Sequence, residues 1–326
     1  MKGTLEHPLP EGMRDLLPEE AERRRDLVER LLARFARRGY RVVTPPIFEL
    51  ASVLERGLRS EDHLKFVEPD SGEVCILRPD MTAQIARIVA TRFAGRAPPF
   101  RLAYEGTVVR RRTSRAKKHR QIPQVGVELC GVAGADGDLE LLETAADALA
   151  EGAGLQRFTI DLSDAGIVRA LLAGVAPPLA AQVSHALAQK DEPTLHELAA
   201  DLPHGRRVLA LAHLHGGRDA IVDAIALLGG TAAEEPARRL LALFDAAAAR
   251  GLGARLSADP GEVRSLAYYT GTIFSLYAEG PGEPIGGGGR YDDLLSRYGA
   301  PQPAVGFGLD LDALEWALES QGGHAK

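Results

Sequence analysis

Gln124, Gly126 and Glu128 stand two residues apart in a stretch whose intervening residues, Val125, Val127 and Leu129, are all apolar. A period of two is that of a strand, so the amide and the carboxylate share one face with a glycine between them as a shallow floor. Such a floor suits a small polar ligand; a strand face turned to solvent carries the same pattern. A second group is basic: Arg110, Arg111, Arg112, Arg115, Lys117, Lys118 and Arg120 fall within eleven positions. Charge of this density binds a phosphate, a triphosphate or a tRNA acceptor end, and it equally suits a solvated hairpin tip. The run Gly286-Gly287-Gly288-Gly289-Arg290 is followed by Tyr291-Asp292, where a Walker A loop needs Gly-Lys-Ser/Thr. No acidic residue follows a βαβ unit as the dinucleotide fingerprint requires, so the run reads as a turn packing its backbone closely against a neighbour. Nine histidines are scattered, His213 and His215 being the closest pair, with neither H-E-x-x-H nor G-x-S-x-G in the chain. No metal site and no serine-based triad is expected. The two cysteines, Cys75 and Cys130, form no C-x-x-C pair and read as reduced, buried thiols.

The elements that must position these groups follow from periodicity. Pro18, Glu19 and Glu20 open a helix with buried stripe Leu27, Val28, Leu31, Leu32 and Phe35, closed by Gly39. Residues 40–44 and Val74 to Leu77 read as strands. Asp80 or Thr82 caps a helix carrying Ile85, Ile88, Val89 and Phe93. Two strands, Phe100 to Tyr104 and Thr107 to Arg110, lead into the basic stretch, and the Gln124 to Leu129 strand leaves it. A helix from Asp138 to about Ala150 and a strand from Phe158 to Leu162 follow. From 164 to 254 the pattern is helical, Ala-rich and Leu-spaced, broken at Pro177-Pro178, Pro193, Pro203 and Gly229-Gly230. Strand character returns at Thr272 to Tyr277, and a helix spans Leu311 to Glu319. The expected class is α+β, with a core in two parts, 1–163 and 255–326, and a helical insertion, 164–254, between them.

Composition sets the outer bounds. The chain has 326 residues, 45% of them hydrophobic and 26% charged, which fits one large or two ordinary globular domains and excludes collagen-like or disordered sequence. Its apolar runs fall far short of the ~20 residues a membrane helix needs, and the first residues lack the apolar core of a signal peptide, so the expected compartment is the cytoplasm. A net charge of −6 argues against a general nucleic-acid coat.

Together these pieces resemble the catalytic core of class II aminoacyl-tRNA synthetases of the histidyl group. The resemblance rests on Leu9-Pro10-Glu11-Gly12-Met13-Arg14-Asp15, on Pro45-Pro46-Ile47-Phe48-Glu49 at the dimer motif, and on Leu77-Arg78-Pro79-Asp80-Met81-Thr82. It continues through the second motif from Gly106 to Glu128, Arg264 to Phe274, Gly287 to Asp292 and Ala304-Val305-Gly306-Phe307-Gly308. It implies a class II synthetase-like antiparallel sheet flanked by helices, dimerising through the first motif. It also implies that Asp80, Thr82, Gln124 and Glu128 hold histidine, enclosed by Arg264, Tyr268 and Tyr269, with Arg110 or Arg264 pairing the carboxylate.

The departures are as informative. Where a synthetase has Arg-x-Glu in the second motif, Arg110 is followed by Arg112, and where the third motif ends Glu-Arg-Leu the chain has Asp312-Ala313-Leu314. The carboxylate for adenine and the arginine for the γ-phosphate are replaced, and losing the latter costs adenylation several powers of ten. Arg264-Ser265-Leu266-Ala267-Tyr268-Tyr269 lacks the aspartate of the synthetase segment, and with a short stretch after Leu314 no anticodon-binding domain is expected. This combination is similar to the ATP phosphoribosyltransferase regulatory subunits, non-aminoacylating paralogues of the synthetase. That resemblance implies a hetero-octamer with the short-form catalytic subunit in the first step of histidine biosynthesis, L-histidine as the feedback effector, and no cofactor, metal or tRNA. The alternative is a synthetase-like enzyme that adenylates an amino acid for an acceptor other than tRNA.

Overall fold

The alternation around Glu128 belongs to strand β6 of an eight-stranded sheet. A computed structural model describes residues 9–58, 63–111, 119–264 and 268–322. The strands are β1 (Arg41–Val42), β2 (Phe48–Leu50), β3 (Lys65–Val67), β4 (Val74–Leu77), β5 (Phe100–Val109), β6 (Gln121–Cys130), β7 (Thr159–Asp164), β8 (Leu256–Ala258), β9 (Thr272–Tyr277), β10 (Gly286–Arg290) and β11 (Ala304–Asp310). The helices are α1 (Pro18–Arg37), α2 (Ala51–Leu54), α3 (Thr82–Arg92), α4 (Gly134–Asp147), α5 (Ala165–Leu171), α6 (Pro177–Gln189), α7 (Glu192–Ala199), α8 (Gly205–Leu211), α9 (Arg218–Leu228), α10 (Glu234–Ala247) and α11 (Leu311–Ser320). The large sheet runs β1-β5-β6-β11-β10-β9-β7-β8, and β2-β4-β3 form a second, three-stranded sheet. The six central strands of the large sheet are antiparallel, as expected; β1 beside β5 and β8 beside β7 add a parallel strand at each edge.

One face of the large sheet carries an apolar core in which Val125, Val127 and Leu129 meet Leu27, Leu31 and Phe35 of α1 and Leu141 and Leu142 of α4. Proline at the first turn of α1, acidic residues there and Glu20 reaching back to the Leu17 amide at 3.1 Å start that helix as its sequence predicts. The same core continues into α5–α10, where Val183, Leu187, Val208, Leu211, Ile221 and Leu240 are buried with it. The opposite face is covered by α3 and by Tyr268, Tyr269 and Tyr291.

Two local expectations are corrected. The two strands at 100–110 are one, because Gly106 is the point where the Arg78 guanidinium lies against the strand: a Cβ there would meet Arg78 Nη2 at 2.3 Å. The glycine run is not a turn but the central strand β10, between β9 and β11. Its close backbone approach is as expected, since a Cβ at Gly288 would lie 1.9 Å from the Gly306 carbonyl oxygen. The stretch between Pro46 and Val74, which carries no clear alternation, supplies β2 and β3.

Both thiols are buried: Cys75 lies in the three-stranded sheet and Cys130 at the end of β6. Burial pushes the Cys130 thiol well above its ordinary range, and Glu128 adds to the shift. Among the described residues, no helix is long and apolar enough to cross a membrane, and no group of three or more His, Cys, Asp or Glu is placed to hold a metal.

Candidate functional site

Glu128 is completely buried on the face of β6 opposite the apolar core. Its room comes from glycine. Gly306 lies directly across on β11, and a Cβ there would fall 1.5 Å from Glu128 Oε2. Gly126, two residues earlier on β6, faces Gly308, and a Cβ at Gly126 would meet the Tyr104 hydroxyl at 2.4 Å. Glycines on adjacent strands therefore hollow out the floor on which Glu128 and Tyr104 rest. The alternation read from sequence produces this floor, and the face is enclosed rather than turned to water.

The walls come from α3 and the segment before β9. Asp80 accepts a hydrogen bond from the Thr82 amide at 2.6 Å, which fixes its carboxylate at the helix start. Thr82 Oγ1 donates to Glu128 Oε1 at 2.7 Å, and the Tyr268 hydroxyl donates to Asp80 Oδ2 at 3.2 Å. Tyr269 stacks beside Tyr268, centroids 4.9 Å apart, and Tyr291 meets Tyr268 edge-on at 5.7 Å. Asp80, Thr82, Glu128, Tyr268 and Tyr269 thus converge as one cluster, as the resemblance implies.

Burial raises the Glu128 carboxyl to about 8, against the opposing pull of hydrogen bonds from Tyr291 and Thr82. At neutral pH a large fraction of this group holds a proton, and an N–H donor or a cation beside it favours the carboxylate. Burial drives the Tyr268 and Tyr291 hydroxyls far up, so both remain neutral donors. The site is a set of acceptors and neutral hydroxyls closed in by aromatic rings, suited to an ammonium group and a ring N–H.

The three remaining expected residues sit differently. Gln124 is on the same face of β6, four residues before Glu128, paired with Asp310 on β11. Arg264 Nη2 donates to the Phe274 carbonyl and to Ser275 Oγ, both at 2.6 Å, which seats the guanidinium above Gly287. Its Nε is buried, 3.7 Å from Glu262, and makes no hydrogen bond among the described residues. Arg110 lies one residue past β5, its amide donating to the Arg120 carbonyl at 2.9 Å. Among the described residues no contact joins Arg110 to the Glu128 cluster, and Arg112 to Lys118 of the basic stretch lie outside them.

Sequence reasoning missed two members. Tyr291 donates a short hydrogen bond to Glu128 Oε2, and Tyr104 covers the glycine floor with its hydroxyl directed at the Phe307 carbonyl, 3.4 Å away. The signal for Tyr291 was its place directly after the glycine run; nothing local marks Tyr104. Arg290, the basic residue of that run, is spent on structure: it is buried against Asp138 at 2.9 Å and Asp292 at 2.9 Å. At the third-motif position Ala313 is buried in the first turn of α11, and its amide donates to Asp310 at 3.2 Å.

Comparison with known proteins gives the family. The family model described as histidyl-tRNA synthetase matches residues 12–314. The ATP phosphoribosyltransferase regulatory subunit of Moorella thermoacetica is 40% identical over 96% of this chain and 82% of its own length. The protein of that name from an Anaeromyxobacter species is 41% identical over 99% of this chain and 96% of its own. Among solved structures, an ATP phosphoribosyltransferase regulatory subunit/histidyl-tRNA synthetase from Bacillus halodurans superposes with a TM-score of 0.87 at 30% identity, covering 97% of this chain and 84% of that one. The family match over residues 12–314, relatives about 40% identical over nearly the whole chain and the shared fold meet in one conclusion: the chain belongs to the histidyl-tRNA synthetase-like family and, within it, to the ATP phosphoribosyltransferase regulatory subunits.

Proposed function

We propose that this chain binds L-histidine in the Glu128 cluster without adenylating it, and that occupancy sets the activity of a short-form ATP phosphoribosyltransferase catalytic subunit, giving feedback on the first step of histidine biosynthesis. The observation that carries the reading is the buried, hydroxyl-ringed Glu128, an acceptor matched to an imidazole N–H. Asp80 supplies the acceptor for the α-ammonium, Gln124 an adjacent amide, and Arg264 Nε a donor for the carboxylate. Arg110 is assigned to the outer edge of the same site. Ala313 leaves adenylation without its γ-phosphate cation, so tRNA charging is no part of the role.

The division into 1–163, 164–254 and 255–326 serves this role as a binding core interrupted by a helical arm. Self-association through the first motif is supported by an apolar surface on the small sheet and beside it. Val42, Ile47, Phe48, Leu50, Val67 and Val74 are each at least 40% exposed there. That surface is held in shape from behind by Arg78 donating to the Pro45 carbonyl at 3.0 Å and Gln84 to the Pro46 carbonyl at 2.8 Å. Four such chains with four catalytic chains in the cytoplasm form the assembly we assign to it. In a reconstituted complex, Glu128→Ala removes inhibition by histidine and keeps activation of the catalytic subunit. A Glu128→Ala complex that stays fully histidine-sensitive overturns the site. Histidine-dependent pyrophosphate exchange by the chain alone overturns the non-adenylating role.

A further inference from the structure

The helical insertion touches the binding core at both stretches that carry Arg264, Tyr268 and Tyr269. On one side the Arg169 guanidinium, from α5, donates to the Tyr269 carbonyl. On the other, Lys190, which ends α6, donates from Nζ to Asp259 Oδ2 at 2.6 Å. Asp259 in turn shapes the approach to Arg264: its carboxylate accepts the Gly261 amide at 3.0 Å and its carbonyl the Glu262 amide at 3.0 Å. Beside the Arg169 contact lies a cavity of about 430 Å³ whose walls include Val168, Arg169 and Leu172 of the insertion and Glu262, Val263 and Arg264 of the core.

Lys190 carries a second, independent mark. With φ 51° and ψ 39° it is the sole non-glycine among the described residues with a positive φ. Helices that end in this conformation usually do so on glycine, which escapes the crowding of Cβ against the carbonyl. A lysine held there keeps something glycine lacks, and what its side chain does is reach Asp259. Lys190 is 43% exposed against 10% for Asp259, so water screens the ammonium end of the pair and its main effect is on geometry.

We propose that Arg169 and Lys190 are positioning residues: from the insertion they fix the stretches 259–264 and 268–269, so that docking of the insertion and occupation of the Glu128 site are coupled. This rests on the histidine reading above. Coupling of this kind is reciprocal, so what the insertion does to histidine affinity, histidine does to the insertion.

Lys190→Gly separates the roles, because it relaxes the backbone while deleting the ammonium. In the full chain we expect Lys190→Gly to raise the Kd for L-histidine roughly tenfold in calorimetric titration, with no fall in thermal midpoint. Arg169→Gln raises it similarly, Arg169→Lys recovers part of the loss, and Arg218→Gln leaves Kd unchanged. The last variant removes the same charge from the insertion at its Asp245 pair, away from the core. Wild-type Kd in both Lys190→Gly and Arg169→Gln overturns the coupling while leaving the histidine site standing. If the wild-type chain itself binds no histidine, the histidine reading falls. Amide exchange then decides the clamp: faster exchange at Gly261 in Lys190→Gly and at Thr270 in Arg169→Gln supports it, and unchanged exchange at both overturns it.

Discussion

The two faces of the large sheet bury different things. On one, Val125, Val127 and Leu129 join an aromatic cluster in which the Phe307 ring lies 5.9 Å from Phe35 and 6.2 Å from Phe274. On the other, the same strand presents Gly126 and Glu128 to four tyrosines, a threonine and an aspartate. The first face removes apolar surface from water and has no polar requirement to meet. The second buries a carboxyl whose charged form it disfavours, a state that costs stability in the empty chain and gives a ligand bearing N–H donors something to relieve. The apolar core and the candidate site thus occupy opposite sides of one sheet, one residue out of phase.

The largest effect tests the dry face. Phe307→Ala opens a cavity among well-packed rings and is expected to cost ~3–5 kcal/mol in urea unfolding. A loss below about 1 kcal/mol would mean that this face is not the stabilising one.

The next tests the polar face through pH. A carboxyl whose folded-state pKa lies above its unfolded one holds more protons in the folded chain. Its contribution is therefore fully present below the unfolded value near 4.5 and is lost as pH rises through about 8. For Glu128 this amounts to a decline on the order of 4 kcal/mol across that window, which Glu128→Gln removes from the pH profile. Histidine binding then releases protons near neutral pH, visible as a dependence of the binding heat on the buffer's ionisation enthalpy. Identical pH profiles for wild type and Glu128→Gln would break the contrast between the faces.

The smallest effect sharpens it. A Cβ at Gly308 would lie 3.0 Å from the Tyr104 hydroxyl, the movable end of that side chain. Gly308→Ala is expected to change stability by about 1 kcal/mol or less while weakening histidine binding measurably, since the intrusion lands on the floor. Equal histidine affinity in wild type and Gly308→Ala would mean that the floor at Gly308 lies outside the site.

What sequence could reveal divides along the same line. The β6 alternation and the α1 stripe are local patterns of period, and each reappears in the structure; α3 opens at Thr82, but its N-cap is Met81 rather than Asp80 or Thr82, with Asp80 accepting the Thr82 amide from one residue before the cap. The convergence of Asp80, Thr82, Glu128, Tyr268 and Tyr269 was legible only through resemblance, because these residues come from elements far apart in sequence. The β10 strand was not legible at all. Four glycines have no strand propensity, and what makes them a strand is contact with Gly306 and Phe307 on β11, a tertiary property. Tyr104 was hidden for the same reason: its role depends on Gly126 and Phe307, on neighbouring strands. The pairing of Arg290 was hidden too, since its partner Asp138 is remote in the chain and nothing nearby announces it.

The two buried thiols divide the molecule in another way. Cys75 belongs to the small sheet that carries the exposed apolar residues, and Cys130 to the strand that carries Glu128. A thiol reagent reaches either sulfur only when its own sheet opens, so the native chain carries two internal clocks. Time courses of labelling at each cysteine, taken with and without histidine, would time the opening of the small sheet separately from that of the ligand floor, with no probe added to the protein.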